Sequence, residues 1–359
     1  MERALALAER GRGLVSPNPL VGAVVVRDGR IVGEGWHEGP GTPHAEAMAL
    51  ADAGDEAAGA TVFSTLEPCD HFGRTPPCTA ALLNAGVAAL VAGARDPNPI
   101  VDGKGFGTLE AAGMQVHRGV LADEVERQNL AYSKHVRTGF PFVTWKMAAT
   151  LDGKVAARDG SSRWITGEAA RADVHRMRAE ADAIMVGAGT AASDDPSLTV
   201  RRAGYRGRPP LRVLVDGKGR VSAVGDLFDD EAPTMVATTE LASQERRREW
   251  REAGAEVVEY GSEGGRVPVG ELLTDLGKRA VQGVLLEGGP TLAWSLLEEN
   301  AVDRVVVYLA PKLLGGDEAP GILGGRGFAP VGQALQLRIH AFDVIGEDLR
   351  VEADVYRDR

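Results

Sequence analysis

ATVFSTLEPCDHFGRTPPCTAALLNAG, residues 60–86, carries the reading of the fold. Residues 60–66 are a run of apolar and β-branched residues that stops at Glu67-Pro68-Cys69, the pattern of a buried strand. Thr75-Pro76-Pro77-Cys78 opens a helix over 77–85, which Gly86 closes. The next strand covers 87–92. Working back, 43–53 reads as a helix with Thr42 as N-cap and Pro43 in its first position. Residues 20–27 and 31–36 read as strands paired across the turn Asp28-Gly29. Alternating strands and helices imply α/β architecture with a mainly parallel sheet.

This stretch also holds the only two cysteines, Cys69 and Cys78. Pro43-His44-Ala45-Glu46 lies at a neighbouring helix start. One His and two Cys are three good zinc ligands, and a catalytic zinc keeps its fourth position for water. The metal ligands are therefore His44, Cys69 and Cys78, with Glu46 as the proton shuttle to the leaving amine. On an ideal helix, positions i and i+2 do not share a face, so Glu46 must reach in from the side of the first turn.

H-x-E with P-C-x-x-C is the signature of zinc deaminases that act on bases. Here the second Cys comes nine positions after the first, around the loop 70–77. This spacing, with Ser16-Pro17-Asn18-Pro19, Gly35-Trp36-His37 and Asp96-Pro97-Asn98-Pro99, resembles the deaminase half of the riboflavin-pathway deaminase–reductases. The resemblance covers nearly all of residues 1–130. It implies a cytidine-deaminase-like domain in which Asn18, His71 and Arg74 contact substrate. Relatives commonly have Lys where Arg74 stands and often Ser where Asp70 stands; a carboxylate beside an anionic substrate is unexpected, so Asp70 is expected to point away.

The segment 121–138 reads as a connecting helix, and Gly139-Phe140-Pro141 marks the boundary between domains 1–139 and 140–359. A second α/β series follows, ending in an antiparallel pair at 335–345 and 348–356. Gly187-Ala188-Gly189-Thr190-Ala191-Ala192 matches G-x-G-x-x-A after a strand. It runs into Ser193-Asp194-Asp195-Pro196, which stops a helix, so a dinucleotide fingerprint is rejected. Glu287-Gly288-Gly289-Pro290 fits better: a strand leads into a Gly pair and a helix whose N-terminus favours phosphate.

Trp145-Lys146-Met147-Ala148, Trp164-Ile165-Thr166-Gly167, Val174-His175-Arg176-Met177-Arg178, 194–201 and Ala310-Pro311-Lys312 resemble the reductase half of the same enzymes, over about residues 140–355. The resemblance implies a dihydrofolate-reductase-like fold that uses NADPH. Ala148, Trp164, Thr190, Asp194, Gly289, Pro290, Thr291, Leu292, Ala293, Trp294 and Ser295 would line the cofactor; for Trp164, core packing is an equal alternative. Ser162, Arg178, Leu198, Arg201 and Glu287 would line the substrate, and Arg178 and Arg201 suit its phosphate. Lys146, Asp194 and Glu287 are candidates for the charges that hold the opened sugar and place a proton. Lys218 and Arg220, in the turn after the strand 211–215, are candidates for the cofactor's 2′-phosphate, with a solvated basic turn as the alternative.

Composition agrees with an enzyme on small molecules. The chain has 359 residues, 44% hydrophobic and 25% charged, with net charge −11. Without a basic stripe such a surface disfavours nucleic acid. No run of 18 apolar residues occurs, and the first 15 residues read as an amphipathic helix rather than a signal peptide, so no membrane partner and a cytoplasmic location are expected. The expected function is zinc-dependent deamination of a phosphorylated pyrimidine followed by NADPH-dependent reduction of its ribosyl chain, in a homo-oligomer (dimer or tetramer). The alternative is a deaminase with a non-catalytic phosphosugar-binding C-terminal domain.

Overall fold

The computed structural model describes residues 1–73 and 75–356, and the chain divides into two units, Met1–Phe140 and Pro141–Arg359.

The first unit is a five-stranded sheet ordered β2-β1-β3-β4-β5. Its strands are β1 (Gly22–Arg27), β2 (Arg30–Trp36), β3 (Thr61–Leu66), β4 (Ala89–Ala94) and β5 (Gln115–His117). Its helices are α1 (Glu2–Ala8), α2 (Ala45–Ala53), α3 (Cys78–Asn84), α4 (Lys104–Ala111), α5 (Ala122–Gln128) and α6 (Leu130–Thr138). Only β3–β4 and β4–β5 are parallel; β1 runs antiparallel to both β2 and β3. The sheet is therefore mixed rather than mainly parallel, because the β1–β2 hairpin reverses the chain at one side. One core packs α2, α3 and α4 on the sheet through Ala49, Leu82, Leu90, Phe106 and Leu109. Glycine is required where α2 meets β2: a Cβ at Gly33 or Gly35 would come within 2.3 Å of a helix carbonyl.

Four local expectations need correction. Helix α2 starts at Ala45, with His44 as N-cap and no side-chain cap; the Thr42 hydroxyl donates instead to the Gly39 carbonyl. The segment 121–138 is two helices broken at Asn129, whose side chain bonds the backbone of Leu20 in both directions. The first 15 residues hold only α1 and a 3₁₀ turn at Glu9–Gly11. Helix α4 and strand β5 were not anticipated: α4 carries two glycines, which weaken the helical signal.

The second unit holds a nine-stranded sheet ordered β10-β9-β8-β7-β11-β6-β12-β14-β13. In chain order these are β6 (Phe142–Thr150), β7 (Ala183–Gly187), β8 (Leu211–Val215), β9 (Thr234–Thr239), β10 (Glu256–Tyr260), β11 (Gly283–Leu286), β12 (Arg304–Ala310), β13 (Leu337–Ile345) and β14 (Asp348–Val355). The pairs are parallel from β10 to β12, and β14 and β13 close the sheet as an antiparallel pair. The helices are α7 (Glu168–Glu180), α8 (Ala188–Asp194), α9 (Gln244–Glu252), α10 (Val269–Lys278) and α11 (Pro290–Glu298). Strand side chains alternate between two cores. Ala183 and Met185 face α10 and α11, while Ile184 and Val186 face α7 and Trp250 of α9. The short helix α8 does follow Gly187; Asp195, in the left-handed region at φ 39°, ends it before Pro196.

Topology places the site in this unit. From β7 the chain moves outward through β8, β9 and β10, then returns to insert β11 between β7 and β6. Such a switch opens a crevice beyond the carboxyl ends of the strands. Lys146 and Ala148 on β6, Gly187 at the end of β7 and Glu287-Gly288-Gly289 after β11 all line that crevice.

Candidate active sites

In the first unit three elements converge on one point. His44 precedes α2, Cys69 follows β3, and Cys78 is the first residue of α3. Their ligand atoms all lie within 4.8 Å of one another. Nδ1 of His44 is 3.5 Å from Sγ of Cys69 and 3.3 Å from Sγ of Cys78. Bonds of about 2.3 Å to sulfur and about 2.0–2.1 Å to nitrogen, at a tetrahedral angle, put N and S about 3.6 Å apart, so the donor set fits zinc. The protonation chemistry agrees. The hydrogen bond from the Cys78 thiol brings Cys69 down to about 4, and that same bond, with burial, pushes Cys78 up. A divalent cation would satisfy both sulfurs without that shared proton.

The neighbours hold this set in place. The Thr75 hydroxyl lies 3.2 Å from His44 Nε2 and accepts its proton, which leaves Nδ1 free as the ligand. The backbone N–H of Cys78 donates to Cys69 Sγ at 3.4 Å. Glu67 is buried, and its carboxylate accepts from the backbone N–H groups of Asp96, Gly103, Gly105 and Phe106. It thereby anchors the strand end that carries Cys69 to the start of α4. Neither Thr75 nor Glu67 was singled out from sequence, where both were only parts of T-P-P-C and E-P-C.

Glu46 reaches the site because His44 is not helical. His44 sits at φ −74°, ψ 163°, so the rule for two helical residues does not govern the pair. Glu46 is 3% exposed, and its Oε2 lies 3.4 Å from Cys78 Sγ. Burial, helped by the Cys69 charge, pushes its carboxyl up. Ser64 Oγ is 2.8 Å from the Leu66 carbonyl and 3.1 Å from Glu46 Oε1. With its single proton on the carbonyl, the hydroxyl can accept from a protonated Glu46.

Of the expected substrate contacts, Asn18 donates from Nδ2 to His37 Nε2 at 2.8 Å, and the His37 ring stands edge-on to His44 at 5.4 Å. His71 is exposed in the loop between the two cysteines. Arg74 lies outside the described residues. The Asp70 carboxylate is taken up by the hydroxyls of Thr79 and Thr108.

In the second unit a cleft of about 1620 Å³ occupies the switch point. Glu287 is at its centre. The Arg178 guanidinium donates to it through Nε at 2.6 Å and Nη2 at 3.0 Å, and Lys146 Nζ lies 3.4 Å away. Burial pushes the Glu287 carboxyl up, but Arg178 and Lys146 outweigh it and hold the group at about 2. Nη1 of Arg178 goes to the Thr199 carbonyl. The Arg178 guanidinium is thus engaged by protein groups. The Arg201 guanidinium has no acidic partner among the described residues and lines the same cleft.

Ser162, Asp194, Thr190 and Leu198 line this cleft as well. Ser162 Oγ is 3.4 Å from Asp194 Oδ1, and Arg163 donates to the Asp194 carbonyl. Thr190 meets the Gly pair, where a Cβ on Gly289 would lie 2.8 Å from its hydroxyl. Trp164 is 63% exposed, with the Arg171 guanidinium 4.5 Å above its ring, so it is no core residue. The run from Gly289 to Ser295 divides by helical period. Gly289, Pro290, Thr291, Leu292 and Ser295 line the cleft, whereas Ala293 and Trp294 do not; they are 0% and 3% exposed. Trp294 instead stacks edge-on against Phe328. Lys218 and Arg220 lie at the cleft, as does Arg266.

Comparison with known proteins follows the same division. Residues 1–94 match the cytidine and deoxycytidylate deaminase zinc-binding region, and 141–351 match the RibD C-terminal domain. Riboflavin biosynthesis protein RibD of Escherichia coli K12 is 43% identical over 360 residues, covering 97% of this chain and 96% of the relative. RibD of Mycobacterium tuberculosis H37Rv is 44% identical over 342 residues, covering 94% and 91%. Among solved structures, Acinetobacter baumannii RibD, form 1, superposes with a TM-score of 0.89 at 37% identity, covering 99% and 98%. A Thermotoga maritima diaminohydroxyphosphoribosylaminopyrimidine deaminase/5-amino-6-(5-phosphoribosylamino)uracil reductase gives 0.87 at 37% identity, covering 99% and 97%.

Proposed function

This chain belongs to the RibD family and is a two-activity enzyme of riboflavin biosynthesis, and we propose that its two units divide the work as follows. The first unit hydrolyses the 2-amino group of 2,5-diamino-6-ribosylamino-4(3H)-pyrimidinone 5′-phosphate. The second reduces the ribosyl chain of the product to ribityl. The observation that carries this division is a complete cluster in each unit: His44, Cys69 and Cys78 beside buried Glu46, and Glu287 clamped by Arg178 and Lys146. It is tested by following ammonia release and NADPH oxidation separately on one preparation.

In the deaminase, His44, Cys69 and Cys78 hold zinc, which when bound supplies a water acidic enough to attack near neutral pH. Glu46 takes a proton beside that position and returns it to the departing amine, with Ser64 as its acceptor while it is protonated. Asn18, His71 and Arg74 bind substrate. In the reductase, NADPH when bound supplies the hydride that reaches C1′. Ala148, Trp164, Thr190, Gly289, Pro290, Thr291, Leu292 and Ser295 form its cradle. Lys146, oriented by ionised Glu287, places the proton that the opening sugar ring requires. Asp194 marks the junction of cofactor and substrate. Arg178 positions Glu287, and Arg201 faces the substrate phosphate beside Ser162 and Leu198.

Lys218 and Arg220 supply the pocket for the cofactor's 2′-phosphate. Lys218→Ala with Arg220→Ala should weaken NADPH and leave NADH nearly unchanged. A charge-assisted contact is worth roughly 1.5–3 kcal/mol, which is about ten- to more than a hundredfold in affinity. Titration of both cofactors checks it. NADPH affinity within about twofold of wild type would move the phosphate elsewhere, with Arg163 the next candidate.

The chain forms a homo-oligomer through β13. Leu337, Ile339, Phe342 and Val344 are 45–68% exposed along this edge strand, and the register shift between Ile339 and Ala341 keeps both pairs in step. An apolar row of this kind on a sheet edge marks a pairing surface. Sedimentation equilibrium should give at least twice the chain mass; a monomer at micromolar concentration would refute it.

A further inference from the structure

Among the residues that helix α7 presents to the cleft, His175 and Arg178 lie one turn apart. Arg178 already has its role, clamping Glu287. His175 has none in the reaction, yet it is bonded to the segment that ends in Arg201. Its Nδ1 accepts from the backbone N–H of Arg201 at 3.1 Å. One turn along, Arg178 Nη1 donates to the Thr199 carbonyl at 3.2 Å. The segment is thus tied to α7 at both ends, through a carbonyl and an N–H. It also needs tying: Leu198, buried at 2% exposure, sits in the left-handed region at φ 48°, where a leucine is strained. The imidazole can serve as acceptor only while Nδ1 is unprotonated. Burial, together with the Arg178 and Arg201 charges, pushes its protonation down and favours the neutral ring; the Arg201 N–H pointing at Nδ1 then places the one ring proton on Nε2.

We propose that His175 is a positioning residue for the reductase: by accepting from the Arg201 backbone it fixes the direction of the Arg201 guanidinium, and so sets affinity for the phosphate of the substrate. This rests on Arg201 being the group that meets that phosphate. A histidine whose only role is to fill space would be replaced by a ring of similar size. A histidine that acts through its acceptor is replaced by asparagine, whose Oδ1 falls near the same position.

The experiment compares His175→Phe, His175→Asn and Arg201→Ala in steady-state reduction of the deaminated substrate and of its dephosphorylated form. Ammonia release by the first unit reports that each chain is intact. For His175→Phe, KM for the phosphorylated substrate should rise about five- to tenfold, the worth of one hydrogen bond. Its kcat should stay within about twofold, and KM for the dephosphorylated form should not move. His175→Asn should restore the wild-type KM. The proposal is overturned if Arg201→Ala raises KM for the phosphorylated form and His175→Phe does not, or if His175→Asn is as impaired as His175→Phe. An Arg201→Ala chain with unchanged KM overturns it differently, by removing Arg201 from the phosphate site.

Discussion

Glu46→Gln retains about one zinc per chain and loses deaminase turnover by about 10²- to 10⁴-fold, the usual share of a positioned acid–base group. The side chain is buried and within 3.4 Å of a ligand sulfur, but three other residues supply the ligand atoms. Glutamine keeps the volume and can still bond Ser64, so the fold and the metal site stay intact. What it cannot do is carry a proton. Metal analysis and ammonia release on the same sample read both outcomes. Loss of zinc would make Glu46 a ligand, and undiminished turnover would remove it from the chemistry.

Glu287→Gln severely impairs reduction and spares deamination. The carboxylate lies between Arg178 and Lys146, with side-chain exposures of 8%, 11% and 16%. Removing one member of a buried ionic cluster leaves the others uncompensated, at a cost of about 3–5 kcal/mol. The loss in reduction should be on the order of 10²-fold or more, as when one preorganised charge is removed from a site. Acid stability gives a second readout. Burial raises the Glu287 carboxyl, but the two cations bring it to about 2 from an ordinary 4.5. A group depressed on folding adds stability that is full above its unfolded value and declines as pH falls from about 4.5 to about 2. The wild-type reductase unit should lose stability across that window more steeply than the variant. Equal slopes would mean that Glu287 is not held ionised, and wild-type reduction by the variant would mean that it has no part in the reaction.

Much of the first site is legible in the sequence because its parts are short and local. His44-Ala45-Glu46, Glu67-Pro68-Cys69 and Pro77-Cys78 each sit at a strand end or helix start, where a motif and its geometry coincide. The approach of Glu46 was not legible, since it depends on His44 lying outside the helix. The Thr42 and Pro43 start signals placed that boundary too early. The second site is assembled from distant parts: Glu287 lies more than a hundred residues from both Lys146 and Arg178. A sequence shows their types but not that Arg178 is consumed by Glu287 while Arg201 is left to face the cleft. Helical period likewise separates Ala293 and Trp294 from the cleft-lining residues of one continuous run. Strand β10, with two Glu in five residues, alternates too weakly to read as a strand from its own composition; β9 beside it supplies the ladder.

Two separate sites on one chain perform consecutive reactions, and Cys78→Ser tests this most directly. In that protein, ammonia release from the diaminopyrimidinone and NADPH oxidation with pre-deaminated substrate are measured side by side. Loss of one of the three ligands should abolish ammonia release and zinc retention while NADPH oxidation continues at the wild-type rate. A folded Cys78→Ser chain that has lost both activities, or one that still releases ammonia at the wild-type rate, would contradict it.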